Sequence, residues 1–100
     1  MKRLSNLLVQ WSADCVAFWC PGCQRLHLVR VDGPGAWDWN RDVNAPTFAP
    51  SILTWNDESR CHSFVRNGQI AFLCDCTHSL ASQTVALPEV PALDEAGGAL

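Results

Sequence analysis

Cys20-Pro21-Gly22-Cys23 is the stretch on which the fold turns. Two thiols three residues apart, bracketing a Pro-Gly turn, point to one side, and backbone N–H groups near the turn can bond the sulfurs. Half of a structural zinc site is built in this way. A second group follows downstream: Cys61, then Cys74-Asp75-Cys76, then His78. The full spacing is Cys-x2-Cys, a 37-residue gap, then Cys-x12-Cys-x-Cys-x-His. It predicts a Zn²⁺ ion held by Cys20, Cys23, Cys61 and Cys76. The second half of the shell has alternatives in Cys74, His62 and His78. Cys15, five residues before the first pair, reads as a core thiol.

The cysteines lie on strand-like segments. Cys61-His62-Ser63-Phe64-Val65-Arg66 and Gln69-Ile70-Ala71-Phe72-Leu73-Cys74 flank Asn67-Gly68. Asn-Gly tolerates the positive φ angles of a type I′ turn, so a two-residue hairpin loop is expected. That loop fixes the register and sets Cys61 opposite Cys74, with His62 on the other face. Cys15–Trp19 and Leu26–Val31 read as a second hairpin around the Cys20–Cys23 turn. Trp37–Trp39, Ser51–Trp55 and Gln83–Leu87 read as further strands, and residues 45–50 as extended chain, because each proline restricts its predecessor. His78–Ser82 has the length of one helical turn. No segment sustains a helical period over ten residues. The expected fold is therefore mainly β: a small zinc-stabilised domain built from β-hairpins, zinc-ribbon-like, with a large central insertion. Residues 1–87 form the domain. The Pro-, Ala- and Gly-rich residues 88–100 read as a mobile tail.

A chain of 100 residues is one domain, short enough that a bound metal is a common source of stability. Six cysteines also suit a disulfide framework, but Met1-Lys2-Arg3 is followed by too short an apolar run for a signal peptide. Thiols in a reducing, cytoplasmic setting are expected instead. No apolar run approaches the ~20 residues of a membrane span. The net charge is −3. The first thirty residues carry a small basic excess and the remainder is acidic, which disfavours nucleic acid as a partner.

Several motifs occur in a recognisable order: Cys20-Pro21-Gly22-Cys23, Trp37-Asp38-Trp39-Asn40, Pro46-Thr47-Phe48-Ala49-Pro50-Ser51, Cys61-His62-Ser63-Phe64 and Asp75-Cys76-Thr77-His78. In these the chain resembles a family of small, functionally uncharacterised proteins encoded by bacteriophages and prophages, over roughly residues 15 to 88. It departs from that family at Arg41, where a glycine is usual, and at Cys74, which marks Cys74 as the spare thiol. The resemblance implies a phage or prophage protein acting in a bacterial host cell.

Function follows less directly. Five tryptophans in so small a chain exceed what one core readily hides, since indole is rarely fully buried. Trp37, Trp39 and Trp55 are the expected contact surface for a protein partner. The first reading is a protein-interaction module directed at a host bacterial protein, such as a component of a defence system like CRISPR. The alternative is a small metal-dependent hydrolase or nuclease, in which His27, His62 and His78 with Asp75 hold a catalytic zinc. A nucleic-acid-binding zinc ribbon is the third. Histidines converging on an open pocket favour the enzyme; dispersed ones favour the binder.

Overall fold

Both expected hairpins form, one in each of two antiparallel sheets of the computed structural model, which describes residues 1–100. The first sheet runs β1 (Lys2–Arg3), β2 (Val9–Gln10), β3 (Cys15–Cys20), β4 (Arg25–Arg30), in that order. The second runs β5 (Asp38–Trp39), β6 (Phe48–Trp55), β7 (Arg60–Arg66), β8 (Gln69–Phe72), β9 (Thr84–Ala86). There is no helix: His78–Ser82 is a run of turns, closed by Ala81 N–H to His78 O at 3.3 Å and Gln83 N–H to Leu80 O at 3.0 Å. Hence no helix is long and apolar enough to cross a membrane.

The Asn67-Gly68 turn has φ of 52° and 76°, as a type I′ turn requires. The register it dictates holds from Arg66↔Gln69 to Ser63↔Phe72. In the other hairpin Cys20 pairs with Arg25 and Cys15 with Arg30. The large insertion between the two cysteine groups carries strands, as expected. It supplies β4, β5 and β6 and so contributes to both sheets.

The sheets pack face to face. Leu8, Val16, Phe18, Val29 and Val31 of the first bury against Phe48, Ile52, Val65, Ile70 and Phe72 of the second. Phe18 stacks on Phe48 with ring centroids 6.3 Å apart. The outer face of β3 is buried as well, which alternation within one core does not explain. Val9, Ala17 and Trp19 are covered by Val90, with Leu93 packed alongside.

The segment expected to be a mobile tail is thus part of the packing. Val90 is 1% exposed, its N–H bonds Asn6 O at 2.8 Å, and Arg3 donates to Val90 O at 2.8 Å. Leu93 and Ala99 form a further bridge. The apolar face of β3 attracts the one valine that Pro88 and Pro91 hold in extended chain. Val90→Ala is expected to lower the free energy of unfolding by about 2 kcal/mol, the usual range for truncating a buried aliphatic side chain. Urea denaturation reads this directly, and a loss below about 0.5 kcal/mol, typical of exposed sites, would mean that the segment does not pack.

Candidate active site and metal centre

Cys20, Cys23, Cys61 and His78 converge where the two sheets meet, their ligand atoms all within 4.8 Å of one another. Cys20 and Cys23 come from the β3–β4 turn, where Cys23 N–H donates to Cys20 Sγ at 3.3 Å, the amide-to-sulfur bond expected of such a knuckle. Cys61 lies at the start of β7, and its Sγ stands 3.9 Å from that of Cys20. Two sulfurs bound tetrahedrally to one ion by bonds of ~2.3 Å would be about 3.8 Å apart, so this pair already has the separation of a shared ligand sphere. His78 Nε2 is buried with no hydrogen-bond partner. Its imidazole lies against Gly22, where a Cβ would overlap the ring, so the glycine of the turn is what admits the histidine.

The charges are unbalanced without a cation. Hydrogen bonding from Cys61 holds the Cys20 thiol well below the ordinary thiol range, assisted by the nearby His27. The same bond, with burial, drives Cys61 upward. Burial and the Cys20 charge raise Cys23. One thiolate is therefore favoured at the expense of the other two, and a divalent cation bound among them would allow all three to ionise together.

Cys76 is not in this cluster. His62 N–H donates to Cys76 Sγ at 3.2 Å, and the Cys76 thiol donates to His62 O at 3.2 Å. The sulfur thus occupies the place of the next β8 carbonyl. β8 ends at Phe72, the chain bulges outward over residues 73–76, and pairing with β7 resumes at Thr77, whose N–H bonds Arg60 O at 2.9 Å. That excursion has two consequences. Cys74 does not face Cys61; it is exposed. His78 is brought inward to the cluster in the place expected for Cys76.

The outer side of the same excursion builds a second constellation. His62 points away from the metal cluster, with Nε2 2.9 Å from Ser51 Oγ and Nδ1 3.3 Å from Asp75 Oδ2. Arg60 lies 3.8 Å from the same carboxylate oxygen. Serine, imidazole and carboxylate in line have the arrangement in which a base oriented by an acid can activate a hydroxyl nucleophile. Ser51 is aimed by an irregularity in β6: between Phe48↔Val65 and Ile52↔Ser63, three residues of β6 oppose one of β7. Bulges of this kind re-aim side chains beside active sites. The Trp37 indole N–H donates to Ser51 O at 3.3 Å and helps fix the bulge.

The three histidines divide two to one: His27, beside Cys20, and His78 lie at the metal cluster, and His62 lies apart from it. His27 is 3% exposed and packs edge-on to Phe18, His78 belongs to the metal cluster, and His62 serves the serine. The three histidines and Asp75 are not gathered into one ligand set as expected; Asp75 is joined to His62 alone of them. Trp37 and Trp39 are half-buried against the main core, and of the three tryptophans proposed as a contact surface only Trp55 is largely exposed, at 68%. Ser51 was missed from the sequence. The chain has seven serines, and only the motif of which Ser51 is the last residue set it apart.

No curated protein and no solved structure matches the chain. Residues 3–73 match the model of a family described as "Bacterial ubiquitination-like system serine protease (BubE)". The description concerns a bacterial system and does not bear on a phage origin. The matched span holds Ser51, His62 and the three clustered cysteines, and stops just short of Asp75 and His78. With well over half its length so covered, and with a serine–histidine–aspartate relay on its second sheet, the chain belongs to the BubE family.

Proposed function

We propose that this chain is a serine protease of the ubiquitination-like system for which its family is named, with Ser51 as nucleophile, His62 as general base and then acid, and Asp75 as the group that orients His62. The observation that carries this reading is the continuous relay from Ser51 Oγ through His62 to Asp75, at 2.9 and 3.3 Å. His62 Nε2 takes the hydroxyl proton as Ser51 Oγ attacks the scissile carbonyl. Asp75 holds the Nδ1–H tautomer and stabilises the imidazolium that forms. His62 then protonates the leaving amine, and an acyl group stays on Ser51. Water, deprotonated by His62 in its turn, releases that acyl group and restores the serine. The relay lies on an open sheet face. The cleft that the structure does contain, lined by Cys23, Arg25, Glu58 and His78, flanks the metal cluster instead. A flat site suits a polypeptide laid across it better than a small molecule, which is usually enclosed. The proposed partner is thus a protein, bound as substrate.

The donor set of three cysteines and one histidine supports zinc as the metal, since soft thiolates and imidazole favour it and four protein ligands close a tetrahedral shell. Its role in this reading is structural: it fixes Cys61 next to His62, and His78 three residues after Asp75. In zinc-finger peptides such sites contribute roughly 10–16 kcal/mol of apparent binding energy, comparable to the whole stability of an ordinary domain, about 5–15 kcal/mol.

Four outcomes are expected. Ser51→Ala abolishes labelling by a fluorophosphonate probe, Asp75→Asn lowers hydrolysis by about 10⁴-fold and His62→Ala by about 10⁶-fold; labelling that persists in Ser51→Ala removes the nucleophile assignment. Protein purified without added metal contains about one zinc per chain by elemental analysis. Cys76→Ser keeps that zinc and His78→Ala loses it; the reverse pattern restores the Cys76 shell. Gly22→Ala, which forces a methyl group into the His78 ring, lowers zinc occupancy and costs more than the ~1 kcal/mol of an ordinary substitution, as read by thermal unfolding with and without a chelator.

A further inference from the structure

The strand that carries Ser51 has an unpaired edge immediately beyond it. β5 covers β6 only at Phe48 and Ala49, so from Ile52 to Trp55 β6 is paired on its β7 side alone. Strand alternation decides which backbone groups are free. Leu73 N–H donates to His62 O, so His62 turns its polar backbone groups toward β8, and its neighbours Cys61 and Ser63 turn theirs toward β6. Their partners Thr54 and Ile52 face β7 in return. Leu53 and Trp55 therefore direct their N–H and C=O groups out along the open edge, and no turn or loop backbone bond reaches either residue. Their side chains stand on the face of Ser51 and His62, Leu53 directly opposite His62, and are 46% and 68% exposed.

We propose that this edge is where the substrate binds: an extended polypeptide segment adds to β6 as a further strand. Its main chain bonds Leu53 and Trp55, its apolar side chains lie on theirs, and its scissile carbonyl is delivered to Ser51. The proposal rests on the serine protease reading and names the form its substrate must take. Free N–H and C=O groups at strand spacing recognise main chain, and only main chain that is extended. At ~3.3 Å per residue, Ser51 to Trp55 spans about 13 Å, enough for about four substrate residues on one side of the cleaved bond. The substrate is thus an accessible tail or linker, not a strand held within a folded sheet. An uncovered edge carrying apolar side chains is otherwise a hazard for aggregation; here it leads to a nucleophile.

Leu53→Pro is the discriminating variant. It removes the outward N–H and leaves the ladder to β7 intact. The probes are p-nitrophenyl acetate, which reads the relay, and fluorescently labelled casein, an unfolded chain that must be bound extended. The ratio of casein cleavage to ester turnover is expected to fall about tenfold, the effect of one lost hydrogen bond of ~1.4 kcal/mol. An unchanged ratio overturns the edge. So does wild-type protein that turns over the ester through Ser51 but leaves casein intact, an outcome that spares the hydrolase. Protein with neither activity, and with Ser51 unlabelled, overturns the protease reading itself. Amide hydrogen exchange on the wild type needs no variant: Leu53 and Trp55 amides are expected to exchange freely while Ile52 and Thr54 are protected, and a protected Leu53 amide refutes the free edge even if Leu53→Pro fails to fold.

Discussion

Cys61 and His62 are neighbours on a strand, and strand side chains alternate between faces. That alternation is the constraint on which everything else depends. Cys61 goes inward to the sulfur cluster between the sheets; His62 goes outward to Ser51. The excursion after β8 repeats the division, with Asp75 turned out to His62 and His78 turned in to Cys61. Each side of the second sheet thus receives one residue from each of two short segments. A shift of one residue in β7 would exchange the faces and destroy both sites at once. The Asn67-Gly68 turn, which fixes where β7 meets β8, is for that reason a condition of the chemistry as well as of the fold.

The sequence made the regular parts of this arrangement legible. The turn chemistry at Asn67-Gly68 set the β7–β8 register, and the Cys-Pro-Gly-Cys turn joined β3 to β4 with its amide-to-sulfur bond in place. What could not be read was where pairing stops. Continuing the register sets Cys74 against Cys61, but the Cys76 sulfur takes over the His62 N–H that a β8 carbonyl would have received, and the strand ends early. Spacing alone offered Cys76 and His78 as equivalent ligands, since both lie beyond the strand. The packing of the His78 ring on Gly22, a contact between segments more than fifty residues apart, separates them. Val90 was hidden for a similar reason: a lone valine in a Pro- and Ala-rich stretch carries no periodicity, and only the bare face of β3 shows that it has somewhere to go.

Ser51 was illegible for a different reason. His62 and Asp75 stood out as titratable residues in small motifs, and three histidines beside cysteines invite a metal reading. A serine declares itself only through the geometry of what surrounds it, and here that geometry comes from an irregularity. Regular pairing of β6 with β7 would leave Ser51 as one more half-exposed position. Three residues opposing one turn it toward the imidazole.

A relay built on an open sheet has a difficulty that enclosed sites do not. Its members must be held within a fraction of an ångström, yet Asp75 comes from a turn with little packed around it. The metal cluster lies a few residues along the chain from both His62 and Asp75, and five bonds of the outward turn itself, between Cys76 and Thr77 and the backbone of Arg60 and His62, tie it down between them. In the proposed reading, order at the triad is in this way derived from buried groups on the opposite face, and the exposed side stays clear for a long substrate. A larger enzyme surrounds its active site with protein for the same purpose. In a domain of this size, ordering it from beneath would leave both the proposed nucleophile, Ser51, and the adjacent strand edge accessible.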